Sequence, residues 1–567
     1  ATACWGTQQT ALYPQSAKYD GVFALWYGKA PGLDRAMDAI RHGNLAGSSR
    51  HGGVICLTGD DHNASSSTVA CQSDLNYAAL AMPYLYPANV REYLEFGLIG
   101  FALSRFAGTW VGFKCLTETA DSSASVFSDP SALEIITPEF EMPPGGLHIR
   151  WPHTFLEQEA LHFNWRLPAA LAFWRANKID RQVFGPANAR LGIVTTGKSY
   201  LDTRQALEDL GIDEALANEV GIAVYKVGMV WPLEPEGIRD FARGKEEILV
   251  VEEKRNLIES ELKNALYSLP ADQRPRVVGK QDDRGQTLLP TTGELNAALV
   301  AKAIVARMPG LANHPHVRER LAVIAEKEAD LKSYQPKTVR TPFFCSGCPH
   351  NTSTKVPEGS RAMAGIGCHF MSVWMNRETS TFSQMGGEGV AWLGQAPFVN
   401  DKHVFANLGD GTYLHSGALA IRAAVQANAN ITYKILYNDA VAMTGGQPMS
   451  LTPAQITQQV YGEGVKKIVV VTDEPDKYPA GYPWAPGVTV HHRDQLDAIQ
   501  KELREIPGTT VLLYDQTCAA EKRRRRKQGR FPDPPKRAFI NDAVCEGCGD
   551  CSVKSNCISV EPLETPF

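Results

Sequence analysis

The chain has 567 residues, of which 44% are apolar and 21% are charged, and its formal net charge is −5. This length predicts three to five domains, and the composition is that of a soluble protein. The balanced charge gives no indication of nucleic-acid binding, and no stretch approaches the about 20 apolar residues of a membrane span.

The first 130 residues alternate apolar segments with helical ones, which predicts an α/β domain. One apolar segment ends in a polar, glycine-rich loop that carries Asp60, Asp61 and His62. Loops at strand ends often contact ligands, so these three residues are candidates to line a pocket, with a capped turn as the alternative. The segments expected to be strands are GVFALWYG (21–28), HGGVICLTG (51–59) and LIGFALSR (98–105).

The middle of the chain is predicted to be mostly structural. Residues 131–185 indicate a helical connector, residues 186–310 a βαβα domain, and residues 311–334 a helical linker. Glu252 and Glu253 follow the strand segment EEILVV. A solvated strand end is favoured for this pair over a pair of catalytic carboxylates.

Residues 335 to about 530 contain a strand–helix–strand unit. Its strands are HVFANL (403–408) and ITYKILY (431–437), and the helix between them is HSGALAIRAAVQANA (415–429). Such a unit is parallel, so both strands end at the same edge of the sheet, where ligands bind.

The residues after these strands have the layout of a diphosphate–Mg²⁺ site. Gly409, Asp410 and Gly411 follow the first strand and Asn438 follows the second. Glycines let the backbone approach phosphate oxygens closely, and Mg²⁺ takes roughly six oxygens, some of them from phosphates. Asp410, Asn438 and the carbonyl of Ala440 are the predicted protein ligands. An ordinary βαβ turn is the alternative.

Four cysteines flank this unit. Cys345 and Cys348 form a CxxC pair, Cys368 follows, and Cys518 lies beyond the second strand. All four can converge at one end of a single sheet, where four thiolates suggest an iron–sulfur cluster. Taken singly, a cysteine is more often a small buried apolar side chain.

A second group of cysteines lies near the end of the chain. Cys545, Cys548 and Cys551 are spaced two residues apart, and Cys557 follows. This spacing is close to a bacterial ferredoxin run, in which three cysteines hold one [4Fe–4S] cluster and the fourth usually binds another. Zinc is the alternative for CxxC pairs, but this run is crowded for a tetrahedral ion.

Together these motifs resemble the 2-oxoacid:ferredoxin oxidoreductases, a family of thiamine-diphosphate enzymes. The segments that carry the resemblance are CSGCPH (345–350), GIGC (365–368), NLGDGT (407–412), LYNDAVAMTGGQP (436–448) and VCEGCGDCSVKSNC (544–557). The CPH variant and the segments ACWGTQQ and GDDHNASSST are most similar to indolepyruvate:ferredoxin oxidoreductase, in the long bacterial form with fused subunits. The resemblance covers nearly the whole chain.

The resemblance implies an α/β, multidomain thiamine-diphosphate fold built on parallel sheets. It implies a pyrimidine-binding domain at 1–130, a transketolase C-terminal-like domain at 186–310 and the diphosphate domain at 335–530. Residues 536–567 would be part of a ferredoxin-like 4Fe-4S module.

The resemblance also implies the cofactors thiamine diphosphate, Mg²⁺ and [4Fe–4S] clusters. Mg²⁺ would be held by Asp410, Asn438 and Ala440. The cluster next to thiamine would be held by Cys345, Cys348, Cys368 and Cys518, and the ferredoxin-type cluster by Cys545, Cys548, Cys551 and Cys557. The cofactor-binding residues would be Gly409, Asp410, Gly411, Thr412, Asn438, Ala440, Gly367, His350 and Gln447.

The implied reaction is the oxidative decarboxylation of an aryl 2-oxoacid, indolepyruvate or a similar one, with coenzyme A. It would give aryl-acetyl-CoA, CO₂ and reduced ferredoxin, or another reduced low-potential acceptor. The alternatives are phenylpyruvate, phenylglyoxylate or a branched-chain 2-oxoacid as substrate, a non-oxidative thiamine-dependent decarboxylase, and an electron-transfer protein without thiamine. A homo-oligomer, a dimer, is expected, in a reducing cytoplasm because the family's clusters are oxygen-sensitive.

Two features depart from the family pattern. The chain begins ATACWG and stops at Phe567. The family's cofactor-activating glutamate is expected upstream of Ala1, so no residue here is assigned to that catalytic role.

The basic run 522–527 is predicted to be a solvated linker to the ferredoxin module, with a nucleic-acid or localisation patch as the alternative. It would also be suited to steer an acidic ferredoxin.

Overall fold

The computed structural model describes residues 1–127, 129, 132–336, 342–536 and 538–553. It divides into two compact units, unit 1 (Ala1–Gln335) and unit 2 (Pro336–Phe567). In the described ranges, no helix is both long and apolar enough to cross a membrane. The α/β class with mainly parallel sheets, predicted from the sequence, is confirmed.

Unit 1 contains two five-stranded sheets, with strand orders β1-β2-β4-β3-β8 and β10-β9-β6-β7-β5. All neighbouring strands are parallel except the β3–β8 and β5–β7 pairs. The strands in the described part of unit 1 are β1 (Phe23–Lys29), β2 (Gly53–Asp60), β3 (Tyr84–Leu85), β4 (Val111–Leu116), β5 (Arg181–Phe184), β6 (Leu191–Thr196), β7 (Ile222–Val227), β8 (Met229–Trp231), β9 (Glu247–Val251) and β10 (Arg276–Val278).

The helices of unit 1 cover the faces of these sheets, as expected for buried parallel strands. In the described part they are α1 (Thr2–Gln9), α2 (Ala30–Ala46), α3 (Asp74–Ala79), α4 (Val90–Ala107), α5 (Thr117–Ala120), α6 (Phe155–Leu161), α7 (Leu167–Ala176), α8 (Gly197–Asp209), α9 (Glu214–Val220), α10 (Pro235–Ala242), α11 (Ile258–Tyr267), α12 (Ala297–Arg307) and α13 (Pro315–Ser333).

One strand prediction in unit 1 is wrong. The segment LIGFALSR (98–105) lies inside helix α4. Its apolar residues belong to a longer helical pattern in which Phe96, Ile99, Leu103 and Ala107 are buried at spacings of three and four residues. A short apolar run does not distinguish a strand from a buried helix. The spacing of the apolar residues over a longer segment is needed to identify the helix.

Unit 2 is built on a seven-stranded sheet with order β12-β11-β13-β14-β19-β17-β18, in which every neighbouring pair is parallel. A small antiparallel hairpin, β15–β16, stands apart from it. The strands are β11 (Ala362–Ala364), β12 (Thr379–Phe382), β13 (Val404–Gly409), β14 (Ile431–Tyr437), β15 (Ala440–Val441), β16 (Gln447–Pro448), β17 (Lys467–Thr472), β18 (Thr489–His492) and β19 (Thr509–Asp515).

The central strands of this sheet are buried on both faces and consist mainly of apolar residues. Helices pack on both sides, which is why these strands do not alternate apolar and polar residues. The described helices of unit 2 are α14 (His350–Ser353), α15 (Val390–Gln395), α16 (Asp410–Thr412), α17 (Ala418–Gln426), α18 (Pro453–Gly462), α19 (Leu496–Arg504), α20 (Ala519–Lys527) and α21 (Asp550–Val553).

Candidate functional site

Three parallel strands of unit 2 end side by side at one edge of the sheet. Gly409 at the end of β13 pairs with Leu436 of β14, and Tyr437 at the end of β14 pairs with Asp515 at the end of β19. The segments that follow these strands carry the predicted ligands. The sheet therefore brings the diphosphate motif and Cys518 to the same edge.

An oxygen set lies between the first two of these strand ends. The Asp410 carboxylate is buried and accepts hydrogen bonds from the backbone N–H groups of Asn438 (2.8 Å) and Gly411 (2.7 Å). One terminal atom of the Asn438 amide lies 2.5 Å from the Ala440 carbonyl oxygen and 3.3 Å from Asp410 Oδ2. As a nitrogen, that atom donates to both oxygens. As the amide oxygen, it completes a set of three oxygens.

These separations suit a magnesium ion. Adjacent ligands of an octahedral Mg²⁺, at about 2.0–2.1 Å from the ion, lie about 2.9 Å apart. The observed 2.5 and 3.3 Å bracket that value. Burial raises the pKa of Asp410 to about 6, against the effect of its hydrogen bonds, and a cation beside it would favour the ionised carboxylate.

The glycines of the motif act mainly by making room. A Cβ on Gly411 would lie 3.1 Å from the Val441 side chain, and one on Gly409 would lie 3.0 Å from the His369 ring. The N–H of Gly411 is already bound to Asp410. Close packing of the motif against its neighbours is thus what both glycines permit in this structure.

The remaining residues predicted to contact the cofactor lie around the same edge. Thr412 is buried, and its hydroxyl donates to the Ile366 carbonyl at 3.4 Å. Gln447 is exposed on the β15–β16 hairpin, where its amide pairs with Thr444. Ala440 is the first residue of this hairpin, so Gln447 lies on the same hairpin as this predicted ligand.

Two buried histidines lie behind the motif. The rings of His350 and His369 are 5.5 Å apart, and burial lowers the pKa of His350 to about 4 and that of His369 to about 3. His350 Nδ1 is 3.3 Å from the Ser353 hydroxyl, whereas His369 Nε2 has no hydrogen-bond partner in the described part of the chain. Gly367, with φ +155°, lies against the His369 ring, which a Cβ would approach to 2.7 Å. Because the pKa values of His350 and His369 lie well below 7, both imidazoles are neutral at pH 7.

The four cysteines that flank the motif lie near one another. Burial raises the pKa of Cys348 to about 12, and the neighbouring thiols of Cys368, Cys345 and Cys518 add to the effect. Burial likewise raises the pKa of Cys368 to about 11, with Cys518 and Cys345 contributing. Cys348 N–H donates to the Cys345 carbonyl, and Cys518 N–H donates to the Asn438 carbonyl at 3.0 Å. The last bond joins the cysteine group to the oxygen set.

The spacing of these thiols does not match a closed zinc site. Tetrahedral zinc with Zn–S bonds of about 2.3 Å holds its sulfurs about 3.8 Å apart. Within the described residues, no three of these four sulfurs lie within 4.8 Å of one another. A polynuclear cluster, whose cysteines bind different metal atoms, requires a wider arrangement.

The ferredoxin-type cysteines are only partly described. Cys545, Cys548 and Cys551 are exposed, the last of them in the short helix α21. Cys557 lies outside the described residues. Their predicted role as ligands of a second cluster remains a prediction.

The basic run 522–527 is helical, with Arg523, Arg524 and Lys527 exposed, and its role as a linker to the ferredoxin module stays a prediction. It forms most of helix α20, which begins directly after Cys518. Arg524 and Arg525 both pair with the buried Glu521, at 2.8 and 2.9 Å. A carboxylate one turn earlier holds these arginines in place, so part of the run is structural.

In unit 1, Asp60 and His62 belong to a buried polar cluster. The Asp61 carboxylate instead accepts hydrogen bonds from three serines of the following loop, as in a capped turn: Ser65, Ser66 and Ser67. Ligand atoms of Asp60, His62 and Asp74 lie within 4.8 Å of one another. The Lys114 ammonium already lies 2.6 Å from Asp74 and 3.4 Å from Asp60, so it supplies the positive charge that the carboxylates require. Burial lowers the pKa of His62 to about 2.

The predicted solvation of Glu252 and Glu253 is wrong. Glu252 is buried and accepts hydrogen bonds from the first N–H groups of helix α11, at 2.8–3.0 Å. Glu253 is buried against the Leu295 N–H and the Lys198 ammonium. The N–H groups at the buried N-terminus of α11 and the ammonium of Lys198 make burial of both carboxylates possible, which the sequence around them does not indicate.

Two buried polar residues near the candidate site were not predicted from the sequence. Asn407 in β13 is fully buried, and neither end of its amide has a partner within the described structure. Lys434 in β14 pairs with it in register, is also fully buried, and donates to the Lys355 carbonyl at 2.7 Å. The feature of the sequence that could have indicated a buried polar residue here is the lysine in the middle of the otherwise apolar segment ITYKILY.

Comparison with known proteins identifies relatives of the whole chain. Residues 181–330 match the indolepyruvate oxidoreductase domain, and residues 365–513 match the C-terminal TPP-binding domain of thiamine pyrophosphate enzymes. The second match contains β13, β14 and the oxygen set. These matches support thiamine diphosphate as the cofactor of unit 2.

The similar curated proteins are indolepyruvate oxidoreductase subunits. The IorA subunit from Thermococcus kodakarensis is 25% identical over 98% of this chain and 88% of its own length. The IorA subunit from Pyrococcus horikoshii is 25% identical over 97% of this chain and 83% of its own length. The resemblance to this family that the sequence motifs indicated is confirmed, while the fused bacterial form stays a prediction.

A solved structure with lower similarity is the 2-oxoglutarate:ferredoxin oxidoreductase from Magnetococcus marinus. Its sequence is 12% identical, with a TM-score of 0.32, and the match covers 55% of this chain and 64% of that one.

Proposed function

From this relationship to indolepyruvate oxidoreductase subunits, we propose that the chain performs the thiamine-diphosphate-dependent oxidative decarboxylation of an aryl 2-oxoacid, with indolepyruvate as the first candidate. Coenzyme A would take the acyl group and a ferredoxin the electrons. The observation that carries the proposal is the bond from the backbone N–H of Cys518 to the Asn438 carbonyl, because it joins a residue of the cysteine group to a residue of the oxygen set.

In this proposal, the oxygen set binds the diphosphate end of the cofactor. Asp410, Asn438 and the Ala440 carbonyl would hold Mg²⁺, and two phosphate oxygens would share the ion. Thiamine diphosphate bound there would supply an electron sink for the loss of CO₂ from a 2-oxoacid. The acid that activates the cofactor is not assigned to a residue of this chain.

The thiols of Cys345, Cys348, Cys368 and Cys518 distinguish an oxidative enzyme from a plain decarboxylase. Together they would hold a [4Fe–4S] cluster next to the cofactor, and such a cluster would supply a one-electron acceptor at that position. The ferredoxin-type cysteines would carry these electrons outward. The neutral His350 and His369 would add no positive charge beside the thiolates, so their contribution would be packing and, for His350, the hydrogen bond to Ser353.

The test begins with anaerobically purified protein. Thiamine content, iron content and viologen reduction are measured with indolepyruvate, with and without coenzyme A. The proposal expects bound thiamine, about eight irons per complete polypeptide from two clusters, and dye reduction that needs coenzyme A. Protein with thiamine but no iron, which releases an aldehyde, would instead be a non-oxidative decarboxylase.

A pair of cysteine variants tests the assignment of the cluster. Cys518→Ala should abolish dye reduction and leave some decarboxylation. Cys71→Ala is the matched control, because Cys71 is also half-buried but lies in unit 1, outside both cysteine groups. Equal dye reduction by the two variants would remove Cys518 from the cluster.

A further inference from the structure

Helix α20 is attached to the loop that carries two of the predicted Mg²⁺ ligands. Arg525 Nη1 donates to the Asp439 carboxylate at 2.6 Å, and Nη2 lies 3.5 Å from the Asp439 carbonyl oxygen. Arg524 Nη2 donates to the Gly446 carbonyl at 3.3 Å, on the far side of the same hairpin. The helix therefore binds the loop at both ends of the hairpin.

Asp439 has an unusual backbone conformation that the pairing supports. It lies between Asn438 and Ala440 and adopts the left-handed region, with φ +66°. This turn allows the Asn438 side chain and the Ala440 carbonyl to face the same point as Asp410 Oδ2. Non-glycine residues adopt the left-handed region at a cost, although aspartate and asparagine tolerate it better than most. A partner that fixes Asp439 thus fixes the oxygen set.

The same helix begins at a predicted cluster ligand. Cys518 precedes α20 directly, and its N–H donates to the Asn438 carbonyl at 3.0 Å. The chain from Cys518 to Arg525 spans two turns of helix, and both of its ends contact the segment 438–439. Glu521 between them pairs with Arg525 Nε at 2.9 Å, so the guanidinium is held on both sides.

Resting on the proposed function, we infer that Arg525 and Asp439 form a positioning pair that couples the two cofactor sites. The pair holds the 438–440 loop in the conformation that binds Mg²⁺ and diphosphate, and it holds the start of α20, with Cys518, against that loop. Because coupling between binding sites is reciprocal, binding of Mg²⁺ and diphosphate should stabilise the position of Cys518 against the 438–440 loop. Neither residue touches the reacting atoms.

The test compares variants of the anaerobic holoprotein. The variants are Arg525→Gln, Asp439→Asn and the double variant. Arg523→Gln is the matched control, because it lies on the same helix and donates within that helix, to the Ala519 carbonyl. The measurements are the Kd for thiamine diphosphate at saturating Mg²⁺, iron content, the electron paramagnetic resonance spectrum of the reduced protein, and the Tm.

The expected result is a roughly three- to tenfold rise in Kd for each single variant, as for a half-exposed ion pair. The double variant should be no worse than the worse single variant, because both remove one interaction. Arg523→Gln should bind like wild type. Addition of Mg²⁺ and thiamine diphosphate should change the cluster spectrum of the wild type more than that of Arg525→Gln.

Additive losses in the double variant, or wild-type Kd values and spectra in both single variants, would refute the coupling. A lower Tm with unchanged Kd would show that the pair only stabilises the fold. If Arg525→Gln fails to fold, Asp439→Asn carries the test, because asparagine keeps the left-handed tolerance. A wild type without thiamine and iron would defeat the proposed function, whereas a loaded wild type with unaffected variants would defeat this inference alone.

Discussion

The buried Lys434 provides a quantitative test of the physics of unit 2. Its ammonium is fully buried in β14, and burial, together with the nearby charge of Arg377, lowers its pKa from 10.5 to about 7. Each pKa step of one corresponds to about 1.4 kcal/mol, so protonating Lys434 in the folded state costs about 5 kcal/mol more than in the unfolded chain. Its single described hydrogen bond, to the Lys355 carbonyl, returns about 1 kcal/mol.

Lys434→Met should therefore stabilise the protein by about 4 kcal/mol below pH 7. Between about pH 7 and 10.5 the unfolded wild-type chain binds more protons at this position than the folded chain does. The wild type thus gains stability as pH rises through this window, and the advantage of the variant disappears. Above it, only the lost hydrogen bond remains, and the variant should be less stable by about 1 kcal/mol.

The assay is urea unfolding of the metal-free protein at pH 6, 8 and 10, with hydrogen exchange of peptides from β13 and β14 to report on unit 2. Lys466→Met is the control, because Lys466 is exposed in the same unit and should change stability by less than about 0.5 kcal/mol. A difference between wild type and Lys434→Met that does not change with pH would refute the reasoning. If the stabilised variant also loses dye reduction, the buried charge is retained for function rather than for stability.

Three further predictions concern single residues. Asp410→Asn should weaken Mg²⁺-dependent thiamine diphosphate binding at least about tenfold, since a carboxylate ligand is lost. Titration calorimetry with and without Mg²⁺ checks this, and a variant that binds thiamine diphosphate as tightly as wild type in the presence of Mg²⁺ would contradict it. Gly367→Ala should destabilise the fold by about 1–3 kcal/mol and reduce iron retention, because its Cβ would lie 2.7 Å from the His369 ring. An unchanged Tm would count against this steric reading. Burial raises the pKa of Glu252 from 4.5 to about 7, so the folded chain binds more protons between these values and loses stability as pH rises through them. Glu252→Gln should flatten that pH dependence in urea unfolding, and an unchanged slope would show that other groups cause it.

Sequence patterns predicted most of the architecture around the candidate site. The segments HVFANL and ITYKILY form adjacent parallel strands, as expected, because long apolar runs bounded by glycine and polar residues leave few alternatives. The pattern was insufficient for LIGFALSR, because this short apolar segment is only part of a helix of eighteen residues. It was also insufficient for Glu252 and Glu253, whose partners are supplied by a helix N-terminus and by residues far along the chain.

By itself, the sequence predicted the chemistry that we propose for this protein. The order of Gly409, Asp410, Gly411 and Asn438 after two strands predicted a diphosphate–Mg²⁺ motif, because strand direction alone places them at one edge. Only the tertiary structure decided which contacts join the motif to its surroundings. The bond from Cys518 to Asn438 and the pairing of Arg525 with Asp439 span about 80 residues of chain. Such contacts depend on where a distant helix packs, and no local pattern of residues records that position.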